Sequence, residues 1–315
     1  MGATAKDLHV DKVLSQMAMG YRPDGFIADM IFPTVRVDKQ SDIYTEFDRG
    51  RRLRRQDTRR GPGAEAHRVD QDFGSATYYC RNYALKAAVT IEDKANADPA
   101  FVRDIINGRV ELLIDDLMLD KEMRVAALVN NTSNVGSYSA VTSAWNGSGH
   151  VLDDLNAAID SVRYGNGVKP NIIVMGQEAW DSARRDSTVR NLIFGNNNGG
   201  GYASEQAFAD LLGIEKLLIA GSFKNTGDEG QSEVIKTVWG DNVFVGYNAP
   251  SPTRERPSWG YEFRWVGNGL ADMTVERHPY STRTKSEEVE VGYYADEKVT
   301  GASYGYLLTA VNSST

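Results

Sequence analysis

The sequence predicts an α+β protein, and three stretches carry the prediction. Residues 98–130 hold one long run of apolar residues at helical spacing. Residues 151–260 alternate helix and strand signals, and from 260 onward strand-forming residues dominate. No internal repeat and no linker composition divides the 315 residues.

Residues 1–45 read as an arm that lies on other structure. Leu8, Val10, Val13, Leu14 and Met17 fit one side of a short helix, and Phe26 to Pro33 reads as an extended apolar piece in need of cover. Residues 46–85 change character. Arg49, Arg51, Arg52, Arg54, Arg55, Arg59 and Arg60 fall within twelve positions, Gly61-Pro62-Gly63 follows, and Phe73 to Leu85 is β-prone. Two extended limbs around a Pro/Gly tip predict a long β-hairpin without a core of its own.

In the long run, Asp98 suits an N-cap and Pro99 the first helical position. Val102, Ile105, Ile106, Val110, Leu113, Ile114, Leu117, Val125 and Leu128 recur at threes and fours, and Asn130-Asn131 ends the run. Such a helix is about 45–50 Å long and reads as a strut. In the next region Leu152 to Val162 marks a helix, and Asn171 to Met175 a buried strand. Helices follow at Gln177–Arg185 and Ser204–Leu212, a second buried strand at Lys216–Ala220, and strands at Val234–Trp239 and Asn242–Tyr247. The final strands are read at Tyr261–Val266, Ala271–His278, Glu288–Tyr294 and Tyr304–Val311.

Chemistry-bearing patterns are sparse. The formal charge is −8, from 35 Lys and Arg against 43 Asp and Glu, which argues against a dedicated nucleic-acid binder. Cys80 is the only cysteine, so no internal disulfide or multi-cysteine zinc site exists, and its apolar run predicts a small buried side chain. His9, His67, His150 and His278 form no local pair. The Gly-rich tract 195–201 lacks the Lys-Ser/Thr of a phosphate loop and reads as a surface loop. Asp115-Asp116 and Asp153-Asp154 point apart on their helices and read as solvated faces. Trp180, Trp239, Trp259 and Trp265 read as core or interface anchors. No catalytic group, metal site or cofactor is expected. Neither a secretion signal nor an apolar stretch long enough to span a membrane is present.

The arginine run has two readings. One is contact with phosphate or RNA, but no aromatic lies between Arg49 and Arg60 for base stacking. The preferred reading is pairing between subunits, because guanidinium forks match carboxylates. The long helix offers acids for this, among them Asp115, Asp116, Asp120 and Glu122.

Three segments carry a family resemblance: IIVMGQEAWDSARRDSTVRNLI at 172–193, LLGIEKLLIAGSF at 211–223, and the closing SEEVEVGYYADEKVTGASYGYLLTAV at 286–311. With the order of the parts, they resemble the major capsid proteins of tailed bacteriophages, which have the Hong Kong ninety-seven capsid fold. The resemblance implies an N-terminal arm (1–45), an extended hairpin or E-loop (46–85), a P-domain (86–150 and 261–315) with a spine helix at 98–130, and an A-domain (151–260). It implies hexamers and pentamers of this chain tiling an icosahedral shell around double-stranded DNA, assembled in the bacterial cytoplasm and found in the virion. A portal and possibly a decoration protein would join it, with no sequence-specific DNA contact and no membrane. Some members join subunits through a hairpin Lys; no Lys occurs between Lys39 and Lys86 here, which argues against that crosslink. About 45 residues precede the hairpin, so a separate scaffolding protein is expected. An encapsulin-like compartment on the same fold is the alternative, and a hydrolase using two carboxylates is the second.

Overall fold

The computed structural model describes residues 9–10, 14–16, 18, 25–46, 55, 58–63, 65–66, 74–96, 102–147, 149–195, 201–228, 230–251, 257–267 and 272–312. In chain order the helices are α1 (Ala28–Ile31), α2 (Ile91–Asn96), α3 (Val102–Val129), α4 (Val151–Asn166), α5 (Gln177–Ala183), α6 (Ser187–Phe194) and α7 (Glu205–Leu212). The strands are β1 (His9–Val10), β2 (Thr34–Val37), β3 (Ser41–Glu46), β4 (Gly74–Tyr79), β5 (Arg81–Thr90), β6 (Ser137–Ala140), β7 (Ile172–Gly176) and β8 (Lys216–Ala220). They continue with β9 (Phe223–Asn225), β10 (Ile235–Thr237), β11 (Val243–Gly246), β12 (Gly260–Trp265), β13 (Thr274–Ser281), β14 (Ser286–Val299) and β15 (Gly305–Thr309).

Two sheets organise the chain. One has the order β6-β15-β11-β7-β8. Its strands β7 and β11 are buried and without polar side chains at every position because both faces are covered. Ile173 and Met175 of β7 and Val243 and Val245 of β11 face the core under α4, α5 and α7, with Leu155, Trp180 and Phe208. Their neighbours Ile172, Val174 and Phe244 face the opposite core, with the end of α3, α1, Trp239 and Trp259. The other sheet has the order β1-β13-β14-β12-β2, with β5 also paired to the 14-residue β14. Against it packs the first half of α3, through Ile106, Val110, Leu113, Ile114 and Leu117. An aromatic cluster of Tyr44, Tyr78, Tyr261 and Phe263 closes over β2, β3, β4 and β12, with Cys80 buried in it.

The long helix stands where its periodicity places it. It buries one stripe against the six-stranded sheet, then passes to the other core through Val125, Ala126 and Val129. The expected start at Asp98-Pro99 lies outside the described residues.

Several expectations are corrected. Phe26 to Pro33 is not simply extended. Ile27, Ala28 and Ile31 share one face of the short α1, and all three are buried. The proposed helix over 8–17 begins as strand: His9 and Val10 pair with Arg277 and Glu276, and helical backbone is found at 14–16 and 18. The outgoing limb of the hairpin starts earlier than 46, since β3 pairs with β4 from Ser41↔Tyr79 to Glu46↔Gly74. Most of 47–73, including Arg49, Arg51, Arg52 and Arg54, lies outside the described residues, as do 196–200 of the Gly-rich tract. A helix not anticipated as separate, α6, follows α5, with the Asp186 side chain accepting from the Val189 N–H as its cap.

Hydrogen bonding also divides the sheets differently from the expected boundaries of 86–150 plus 261–315 against 151–260. The closing strand β15 pairs with β11, antiparallel, and with β6, parallel. Both β6 and β15 therefore belong to the sheet of the 151–260 region. The reason is burial: Leu307 and Leu308 point to opposite faces, and each is covered by one of the two cores of that sheet. One close approach fixes how β12 meets the segment that follows α1. A Cβ at Gly260 would stand 2.3 Å from the Phe32 ring, which stacks on Trp259 at 5.1 Å.

Candidate functional site

One turn of α3 carries three charged residues, Lys121, Glu122 and Arg124, at the crossing from one core to the other. Lys121 is 1% exposed and Glu122 is 0% exposed. Both sit on the apolar stripe, four residues after Leu117 and Met118. A charge there is tolerated only with partners, and the partners come from α1, from β12 and β14, and from the segments holding Ser222 and Trp239.

Lys121 Nζ donates to Glu262 Oε1 at 3.0 Å and Oε2 at 3.1 Å on β12, and to Asp29 on α1. Arg264 also donates to Glu262. Burial alone would raise the Glu262 carboxyl, but Lys121 and Arg264 hold it down at about 2. Burial pulls the Lys121 ammonium down, yet Glu262 and Asp29 leave it raised. This set ties α1, α3 and the six-stranded sheet together.

Glu122 faces the other way. Its carboxylate accepts from the backbone N–H groups of Ile27 (3.1 Å) and Ala28 (2.8 Å), from Trp239 Nε1 (2.6 Å) and from Ser222 Oγ (3.3 Å). It thereby caps α1, whose own N-cap residue, Ile27, makes no side-chain cap. Burial is the largest influence on this carboxyl and raises its pKa against those four donors.

Arg124 completes the turn. It donates to Asp120 at 2.9 Å, Glu297 at 2.6 Å and the Tyr293 hydroxyl at 2.8 Å, and its guanidinium lies 3.6 Å from the centre of the Tyr83 ring. Burial raises the Glu297 carboxyl, and Arg124 offsets part of that. Burial likewise raises the Tyr293 phenol.

The arrangement is a structural clamp. Its raised carboxyls, Glu122 and Glu297, do not line the open cleft of about 780 Å³ beside α1, α7 and β8. That cleft is bordered by Asp29, Met30, Glu205, Glu215 and Lys216. Among the described residues, no group of three or more His, Cys, Asp or Glu is placed to hold a metal ion, and no helix is long and apolar enough to cross a membrane.

The interface residues expected from the sequence fall in different places. Arg55, Arg59 and Arg60 are exposed. Asp116 is exposed, while Asp115 is half-buried. Asp120 is half-exposed and bound to Arg124 of its own helix. Glu122 is corrected: it is buried within the chain with both oxygens bonded, so it offers nothing to a neighbouring subunit. Asp154, expected as a solvated acid, accepts from Trp145 Nε1 at 2.8 Å. The clamp itself escaped the sequence reading, although Lys121 and Glu122 at stripe positions between Leu117 and Val125 were its visible signal.

No family model matches the chain. It is 24% identical over 307 residues to a major capsid protein of Pseudomonas phage JBD67, covering 95% of this chain and 96% of that one. It is also 24% identical over 327 residues to a major capsid protein of Burkholderia phage BcepMu, covering 99% and 100%. Among solved structures, a phage-related protein from Bordetella bronchiseptica RB50 superposes with a TM-score of 0.73 at 21% identity, covering 96% of this chain and 98% of that one. The capsid of cyanophage P-SCSP1u gives 0.53 at 13% identity, covering 99% and 93%. A virus-like particle from Pyrococcus furiosus gives 0.52 at 13%, covering 94% and 95%. The chain has the Hong Kong ninety-seven-type capsid fold and resembles the major capsid proteins of tailed phages along nearly its whole length.

Proposed function

We propose that this chain is the major capsid protein of a tailed phage, a structural protein and not an enzyme. Copies of it assemble into a shell, as hexamers and pentamers on an icosahedral lattice around double-stranded DNA. One observation carries the reading: similarity to two phage major capsid proteins runs end to end, together with the capsid fold. In this reading residues 1–45 form the arm, 46–85 the extended loop reaching a neighbour, α3 the spine, and the five-stranded sheet with its helices the A-domain. The arginine run 49–60 pairs with carboxylates of an adjacent copy, with Asp115, Asp116 and Asp120 as candidates on the helix. A separate scaffolding protein, a portal and possibly a decoration protein belong to the same assembly.

The test is negative-stain electron microscopy of the purified protein with light-scattering size exclusion. Rings of five or six, tubes or shells are expected. A compact monomer that stays monomeric with its scaffolding protein would overturn the reading. Changing Arg51, Arg52, Arg54 and Arg55 to Glu is expected to block assembly while the monomer stays folded; normal shells from that variant would remove the role given to the loop. A compartment reading on the same fold predicts enclosed protein cargo instead of DNA, and the contents of purified shells separate the two.

A further inference from the structure

The connection between α5 and α6 and the approach to α7 bring three arginines to one aromatic ring. The guanidinium carbons of Arg184, Arg185 and Arg190 lie 5.4, 5.9 and 5.9 Å from the centre of the Tyr202 ring. Tyr202 is 59% exposed and Arg185 is exposed. Asp181 pairs with Arg184 at 2.7 Å, and Arg190 donates from Nε to the Gly201 carbonyl at 3.2 Å. Three arginines converge here against two acids of the same segment, Asp181 and Asp186, the second of which caps α6. Guanidinium groups already occupy the ring, which leaves it poorly placed to stack on a nucleotide base. The exposed Arg185 presents a fork that suits anionic oxygens.

A complementary surface lies on α4. Asp153, Asn156, Ala157, Asp160 and Tyr164 recur at threes and fours, and all are exposed. The two carboxylates stand about 10 Å apart along the helix with small residues between them. Tyr164, 78% exposed, closes the stripe, with the Arg163 guanidinium 5.9 Å from its ring centre and His150 3.9 Å from Asp153 at the other end. The two surfaces sit toward opposite edges of the five-stranded sheet: α4 packs over β15 and β11, whereas α5 and α7 pack over β7 and the edge strand β8.

We infer that the Arg184–Arg185–Arg190–Tyr202 platform of one copy docks on the Asp153–Asp160–Tyr164 stripe of α4 in the next copy. The contact joins two different surfaces head to tail, and a head-to-tail contact whose rotation closes produces a ring. Arg and Tyr are the residue types enriched in such contacts, and opposite charges across them select the partner and its orientation. The inference rests on the shell reading and adds the surface that closes its rings.

The experiment is a charge swap read by light scattering and electron microscopy. Arg185→Glu with Arg190→Glu is expected to lower the fraction in rings about tenfold or more, as is Asp153→Arg with Asp160→Arg. The four changes combined are expected to restore rings. Circular dichroism and the melting temperature of each variant check folding, and the single Arg185→Glu, at an exposed position, serves if the double variant does not fold. Rings from the arginine variant at the wild-type level would overturn the contact. So would failure of the combined variant to recover while each half stays folded. Wild-type protein that forms no rings even with its scaffolding protein overturns the shell reading itself, and this contact with it. An arginine variant that assembles normally but binds a 20-base-pair DNA duplex more weakly overturns the contact and assigns the platform to packaged DNA.

Discussion

Glu262 and Glu297 stand directly opposite each other across the antiparallel pair β12–β14, both buried, with Lys121 and Arg124 of one helical turn each engaging one of them. Like charges in facing positions destabilise a sheet. Here the helix supplies the two cations, and the pair becomes the anchor that fixes α3 on the sheet. Arg264, two residues along from Glu262, adds a third cation.

Removing Lys121 isolates a buried carboxylate. Lys121→Met is expected to cost about 3–5 kcal/mol, because Glu262 keeps only one cation, Arg264, and Asp29 loses its bond. Urea unfolding of the unassembled protein measures this. A cost below about 1 kcal/mol would mean that the cluster relaxes or admits water.

Glu297→Gln is expected to behave oppositely. The amide oxygen still accepts from Arg124, while the charge facing Glu262 disappears. Glu297 Oε1 has no hydrogen-bond partner, so little is lost there. The expected change at pH 8 is neutral to about 1 kcal/mol stabilising. A drop in melting temperature of several degrees would show that Arg124 needs a full negative charge.

The acid side of the stability profile follows from Glu262. Its folded carboxyl is held at about 2, below the unfolded value of about 4.3. Between these values the unfolded chain binds the extra proton, so this contribution is complete above about pH 4.3 and lost as pH falls toward 2. Glu122 and Glu297 are raised and carry the opposite sign: what they contribute is present below the unfolded value and fades as pH rises through their folded values. Melting temperatures from pH 2 to 8 are therefore expected to fall most steeply below about pH 4.3, and Lys121→Met should flatten that limb.

Glu122→Gln tests the cap on α1. Four donors converge on the carboxylate, and an amide offers one acceptor oxygen and turns an NH₂ toward the rest. The expected loss is about 1–3 kcal/mol, with Glu122→Ala at least as costly. Trp239 fluorescence provides a local readout, since its indole N–H bonds to Glu122.

Cys80 should be inert in the folded protein. It is fully buried, its thiol donates to the Phe263 carbonyl at 3.4 Å, and burial pushes its pKa up to about 12. The thiolate is the reactive form. Labelling by a maleimide at pH 8 is expected only on unfolding; rapid labelling of native protein would show that the β3–β4 base opens.

The sequence by itself determined the elements whose signal is local. Val110, Ile114 and Leu117 repeat with the helical period, and α3 follows. The unbroken apolar run Ile172–Met175 requires a strand covered on both faces, and β7 follows; the run Leu217–Ala220 also forms a strand, but β8 is a half-buried edge strand and not the second buried strand expected. The buried thiol was legible from its neighbours, and the capsid fold from the order of parts. Tertiary structure alone decided the clamp. Local pattern assigns Lys and Glu to the solvent face, and what makes Lys121 and Glu122 tolerable inside are Glu262 and Asp29 for one, Trp239, Ser222 and the Ile27 and Ala28 amides for the other, about 90 to 140 residues away in the chain. The same distance hid the helical turn of α1, whose cap is Glu122, and the sheet that β15 joins, since a strand's pattern records that its faces are buried but not against what.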